Sequence, residues 1–140
     1  MTELHAKLPH IKFVLPTAGK MFVTSLKGKE ATAWHDVIKG RDKIDEEECL
    51  GIQDSRKFVE MLIEHEISSN GIDHSRIVIG GFSQGAALAA FATYQYPKTL
   101  AGSVLLSSYL PFYDSFDKMI SDDAKKTPAL VDDAFLSYLT

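Results

Sequence analysis

The sequence predicts an α/β fold, a mostly parallel sheet flanked by helices. Three observations carry that expectation. Short β-rich runs alternate with segments of helical period, the rhythm of parallel strands joined by right-handed crossovers. The stretch "RIVIGGFSQGAALAAF", residues 76–91, passes from strand to glycine-rich turn to alanine-rich helix without a break. Finally, 140 residues with 45% hydrophobic content are enough for one core and too few for two. A single domain over 1–140 is therefore expected.

Taken in order, "HIKFVLP", His10 to Pro16, is β-rich and closed by a proline, which predicts a buried strand. From Thr17 to Arg41 no period holds, and Gly19, Gly28 and Gly40 punctuate the segment. It predicts a loop, long enough for function to be expected of it. The acidic run Asp45 to Glu48 marks a helix start, its carboxylates facing the positive end of the helix dipole. Ile52, Val59, Leu62, Ile63 and Ile67 then form one apolar stripe that ends at Asn70-Gly71, a helix stop. "RIVIGG" is a second strand, "ALAAFATYQYP" a helix stopped by Pro97, "LAGSVLLSSYLP" a strand stopped by Pro111, and "KKTPALV" the start of another.

Charge and composition exclude several functions. A formal net charge of -4, with Lys125-Lys126 as the one basic cluster, argues against nucleic-acid or anionic-membrane binding. Cys49 is the only cysteine, so no intrachain disulfide is possible. No run of about 18 apolar residues predicts a transmembrane segment, and no signal-peptide core stands at the start. A cytoplasmic protein is expected.

The chemistry lies at Gly81-Phe82-Ser83-Gln84-Gly85, a G-x-S-x-G string between a predicted strand and a predicted helix. In a nucleophile elbow the glycines leave room for a sharp turn, and the serine is held in a strained backbone with its Oγ exposed. There the Gln84 N–H and the helix dipole face any oxyanion formed on the serine's substrate. The alternative is a glycine-rich turn whose serine merely caps the helix. A phosphate-binding loop is excluded, because neither G-x-x-x-x-G-K-[ST] nor G-x-G-x-x-G is present.

"SRIVIGGFSQGAALAAF" followed by "LAGSVLLSSYLP" resembles the acyl-protein thioesterase and phospholipase/carboxylesterase family of α/β-hydrolases. "HIKFVLPTA", Val23-Thr24, "AWHDV" and "NGID" match further motifs in that family's order, so the resemblance covers about residues 8–116. It implies a partial α/β-hydrolase fold. It implies Ser83 as nucleophile, the Gln84 backbone N–H as one oxyanion donor, and Trp34 and Phe82 as substrate-binding residues, with Met21 near them. The substrate would be an acyl thioester or carboxyl ester, including acylated protein, with no metal and no cofactor.

The departures from the family pattern bear on mechanism. His35 stands where the family has Tyr or Phe, and Gly19 where its turn has a proline. The order Ser, acid, His is not completed, because His5, His10, His35, His65 and His74 all precede Ser83. His74 is expected at the wrong end of its strand and His65 on a solvated helix face, leaving His35 as the first suspect for a base. Asp132 and Asp133 come too soon after Pro128 to match the family's acid and are expected in an exposed turn or at a helix start. The loop that supplies the second oxyanion N–H has no counterpart before "HIKFVLP". A truncated hydrolase domain is thus expected, with an exposed sheet edge that invites self-association. The alternative function is a catalytically incompetent copy that serves as a non-catalytic binding module.

Overall fold

In the computed structural model, residues 6–38 and 49–132 are described. Two strands, β1 (Lys20–Val23) and β2 (Lys29–Thr32), form an antiparallel pair in the register Lys20 to Thr32 through Val23 to Lys29. The chain reverses between them through Lys27 and Gly28, both left-handed at φ 58° and 70°. Helix α1 (Ile52–Asn70) leads to β3 (Val78–Phe82), α2 (Gln84–Gln95), β4 (Gly102–Leu106), the single turn α3 (Phe116–Met119) and β5 (Ala129–Val131). Strands β3, β4 and β5 lie side by side in that order, all parallel. The parallel sheet, its crossover helix and the helix stop at Gly71 follow the sequence expectation.

Three elements differ from it. Residues 10–16 form no strand, and Ile11, Val14 and Leu15 are exposed. A strand exists through its neighbours, and no described strand pairs with this segment. The segment expected as loop holds the β1–β2 hairpin, which sequence period could not reveal because Lys20, Phe22, Lys29, Glu30 and Thr32 all face solvent. Strand β4 stops at Leu106 rather than at Pro111, since Ser107 turns left-handed at φ 49°. The acidic run 45–48 lies outside the described residues, and the helix expected to start there begins only at Ile52, after Cys49 and Gly51 turn to positive φ at 45° and 90°.

The core sits on one face of the sheet. All eight residues from Ala86 to Thr93 of α2 are buried, with alanines against the strands and Phe91 toward α1. Alanine suits this place because a helix enclosed on several sides must approach its neighbours closely. The stripe predicted for α1 packs as expected: Ile63, with Val59 and Ile67 beside it, meets Tyr96 and Leu100. The Tyr96 hydroxyl donates to Glu64 Oε1 at 2.6 Å. Burial first, and then this carboxylate, push the phenol above its ordinary range.

The opposite sheet face is bare. Val78, Phe82 and Leu130 are 57%, 69% and 65% exposed. Parallel sheets are ordinarily covered on both faces, and this one is covered by α2 alone among the described residues.

Candidate active site

Ser83 occupies the junction between β3 and α2, with Phe82 the last strand residue and Gln84 the first helical one. Its backbone stands at φ 53°, ψ −121°, a region that L-residues avoid and that costs about 1–3 kcal/mol when surrounding structure enforces it. The enforcement is visible on both sides. The Ser83 N–H donates to Leu106 O at 2.9 Å, extending the β3–β4 ladder by one residue, and its carbonyl accepts from Ala86 and Ala87 at 2.9 and 3.1 Å.

Gly81 explains how strand and helix come so close. A Cβ there would lie 2.2 Å from the Gly85 carbonyl carbon and 2.5 Å from Ala86 N, so only glycine fits. The serine makes no side-chain cap bond at the helix start. That observation weakens the capping alternative. The Gln84 N–H, in the first turn, is among the helical N–H groups that have no intrahelical acceptor, and it lies at the positive end of the dipole.

The Trp34–Asp36 loop lies beside this elbow. Gln84 Oε1 accepts from the Trp34 N–H at 3.0 Å, and Gln84 Nε2 donates to His35 O at 2.9 Å. The indole stacks on Phe58 with centroids 6.4 Å apart, and its Nε1 would lie 3.9 Å from a Cβ on Gly85. Trp34 is therefore on the helix side of the sheet. Gly81 faces that helix, so Phe82, its neighbour in a strand of period two, faces the bare side. The structure does not bring Phe82 and Trp34 together. Met21 approaches the loop instead, its Cε 3.5 Å from where a Cβ on Gly51 would stand.

His35 and His74 are committed elsewhere. His35 is fully buried, with Nδ1 2.8 Å from Asp36 O and Nε2 2.7 Å from the Tyr109 hydroxyl. A carbonyl can only accept, so Nδ1 carries the proton and Nε2 accepts from the tyrosine. Both ring nitrogens thus serve packing, and His35 loses its place as suspected base. His74 contacts Thr99 O at 2.7 Å through Nδ1, at the far end of β3 from Ser83. His65 lies on α1 near Ser69, and His10 is exposed. His5 lies outside the described residues.

Asp132 is no free turn residue. Its Oδ2 accepts from the Ser107 N–H at 2.6 Å, so the carboxyl ends of β3, β4 and β5 carry Ser83, Ser107 and Asp132 in a row. Asp133 lies outside the described residues. The side-chain role of Gln84 and the Asp132–Ser107 bond were not foreseen, since both join residues at least 25 positions apart and leave no local pattern.

Asp36 fixes the other end of the loop. Its carboxylate accepts from the Thr24 N–H at 2.7 Å and the Thr24 hydroxyl at 2.6 Å. Burial alone would raise this carboxyl, but the Thr24 bonds and the Val37 N–H outweigh it and hold the group below its ordinary value. The group is more acidic folded than unfolded. Its stabilisation is therefore complete above about pH 3.9 and lost as pH falls through the folded value. Thr24→Val should destabilise by about 2 kcal/mol at pH 7, and this difference should shrink in acid. Urea unfolding of both proteins at neutral and acid pH checks it; a difference constant with pH would remove the charged bond as its cause.

Comparison with known proteins agrees with this geometry. The Phospholipase/Carboxylesterase family profile matches residues 1–132. The chain is 44% identical over 104 residues to acyl-protein thioesterase 1 homolog 2 of Dictyostelium discoideum, covering 74% of this chain and 46% of that protein. It is 36% identical to acyl-protein thioesterase 1 of Schizosaccharomyces pombe over all 140 residues, 59% of that protein. The crystal structure of Arabidopsis thaliana SOBER1 superposes with a TM-score of 0.80 at 32% identity, covering 90% of this chain and 60% of that one. The chain spans about half the length of the curated relatives it matches, at 46% and 59%. With a parallel sheet, a strained serine at its elbow and a family profile along nearly its whole length, the chain belongs to the phospholipase/carboxylesterase family of α/β-hydrolases.

Proposed function

We propose that the protein is a serine hydrolase that cleaves acyl thioesters or carboxyl esters, acylated proteins and phospholipids among them, through an acyl-Ser83 intermediate. The observation that carries this reading is the strained backbone of Ser83 between β3 and α2. Ser83 Oγ adds to the carbonyl carbon while its proton passes to a general base, and the Gln84 N–H meets the charge on the carbonyl oxygen. The C–S or C–O bond then breaks, and the leaving thiol or alcohol takes the proton from the base. Water repeats the sequence on the acyl-serine and frees the acid. Trp34 offers an apolar wall beside the elbow, and Phe82 would meet substrate only from the bare side of the sheet.

The test is a fluorophosphonate probe applied to the protein as its gene encodes it, with the adduct mapped by mass spectrometry. An adduct on Ser83, absent from Ser83→Ala, is expected. Its absence from Ser83 would overturn the reading.

A second reading, a non-catalytic binding module, is favoured by one observation: no described histidine hydrogen-bonds Ser83, and His35 and His74 are occupied. Under either reading we place the protein in the cytoplasm; no helix among the described residues is long and apolar enough to cross a membrane.

The bare sheet face further supports self-association with a second copy. Val78, Phe82 and Leu130 would be covered there, beside an open apolar depression of about 340 Å³. Size-exclusion chromatography of the 140-residue chain should show a retention volume that shifts with loading, and Phe82→Lys with Leu130→Lys should suppress the shift. A concentration-independent monomer would oppose it.

A further inference from the structure

We propose that the side-chain amide of Gln84 is a positioning group: it clamps the Trp34–His35 segment onto the first turn of α2, so that the tryptophan wall and the Gln84 N–H keep one fixed relation. Its consequence for substrate rests on the serine-hydrolase reading above. The clamp itself does not.

The argument begins with hydrogen-bond supply. Residues 33–38 belong to no helix or strand, so their peptide groups need partners from outside regular structure. Asp36 N–H donates to Leu50 O at 2.8 Å, Ser25 N–H donates to Val37 O at 2.7 Å, and the Ser55 hydroxyl donates to Trp34 O. The Trp34 N–H and the His35 carbonyl, one donor and one acceptor, turn instead to the first residue of α2. Gln84 meets both at 3.0 and 2.9 Å.

At neutral pH the glutamine amide presents an acceptor and a donor on separate atoms at one side-chain end. Glutamate at neutral pH lacks the donor, and methionine, of similar length, offers only a weakly accepting sulfur. The far side of the same segment is fixed through the buried His35 ring and the Tyr109 hydroxyl at 2.7 Å. The segment is thus held between the elbow and the chain that follows β4. Because Gln84 also carries the oxyanion N–H, a single residue ties the apolar wall to the polar end of the site. Releasing the side chain frees Trp34 to move over Gly85, where a missing Cβ gives it room.

The protein has one tryptophan, Trp34, so intrinsic emission reports the clamp directly. Acrylamide quenching of Trp34 is measured between pH 7.5 and pH 4.5 in the wild type, Gln84→Met, Gln84→Glu and Ser83→Ala, with far-UV circular dichroism confirming the fold at each point. The other titratable groups near the clamp, His35, Asp36 and Tyr109, are common to all four proteins, and the wild-type series subtracts their effect.

Gln84→Met should release the loop at every pH, raising its open population by about tenfold per hydrogen bond lost. Gln84→Glu should be released at pH 7.5 and return toward wild type as its carboxyl gains the proton that restores the donor. Ser83→Ala should quench as wild type does. If Gln84→Met fails to fold, the pH-dependent return of Gln84→Glu decides alone. Folded Gln84 variants that quench as wild type at all pH values would overturn the clamp. Release in those variants with no fluorophosphonate adduct on Ser83 would leave the clamp standing and remove the hydrolase.

Discussion

Given a simple acyl thioester, the 140-residue chain should turn over feebly. Its rate should lie no more than about 10³ to 10⁴-fold above water, the remainder that serine proteases keep when triad members are removed. A serine hydroxyl is a weak nucleophile until a base takes its proton. Every histidine of the sequence precedes Ser83, and no described one hydrogen-bonds it. His35 gives one nitrogen to a carbonyl and the other to Tyr109, and His74 sits at the amino end of β3. What remains for the proposed chemistry is the strained serine and the Gln84 N–H at the start of α2. Replacing Ser83 by Ala should therefore lower an already small rate by only a modest factor.

A form in which a carboxylate and a histidine follow β5 should be faster by several orders of magnitude, since removing the nucleophile or base of a complete triad costs about 10⁶ in kcat. The two forms and their Ser83→Ala variants are compared in one thioester assay. Rapid turnover by the 140-residue chain that vanishes in Ser83→Ala would sink this prediction. It would require a base other than His35 and His74, whose rings are occupied.

How much of this was written in the sequence depends on whether a feature is local. The elbow was, because G-x-S-x-G between an apolar run and an alanine-rich segment specifies turn, strain and close packing within ten residues. The stripe of α1 and the parallel strands were too, since burial imposes a period that survives in the letters. Residues 10–16 show the limit: their composition is that of a strand, yet Leu15 is 65% exposed, because pairing belongs to the neighbour and not to the segment. The β1–β2 hairpin shows the converse. Two short strands with one buried residue, Val23, leave no alternation to detect, and only their turn, at Lys27 and Gly28, is marked. The Gln84 amide and the His35–Tyr109 bond lie further out of reach. They join chain positions 49 and 74 residues apart through single atoms, and a glutamine or a histidine has many uses. The spacing of Asp132 from Pro128 speaks only against the family's acid, and its bond to Ser107 emerges only when β4 and β5 are set side by side.

Gly81→Ala should abolish or nearly abolish the folded state. A single methyl placed there would stand 2.2 Å from both the carbon and the oxygen of the Gly85 carbonyl and 2.5 Å from Ala86 N. All three atoms are backbone, so no side chain can rotate away. Relief requires α2 to move off β3, and α2 carries the buried run Ala86 to Thr93 that forms much of the core. Overpacking a core ordinarily costs about 1–3 kcal/mol, and a clash between two rigid backbones should exceed that. A domain this small has about 5–15 kcal/mol in total, part of which the strained Ser83 already draws down. Two alanine substitutions calibrate the result. At Gly80 the added methyl would meet Val104 Cβ at 3.3 Å and the Val104 carbonyl oxygen at 3.4 Å on the bare face, a contact that a strand shift of about a few tenths of an ångström relieves. At Gly19 nothing lies within 4 Å, so the change should stay within about 0.5 kcal/mol. Thermal melts followed by circular dichroism should rank wild type and Gly19→Ala together, Gly80→Ala slightly below, and Gly81→Ala without a cooperative transition. Were Gly81→Ala to melt with the wild type, β3 and α2 could not be packed as closely as the elbow demands. The strain at Ser83, on which the proposed chemistry depends, would then have nothing to enforce it.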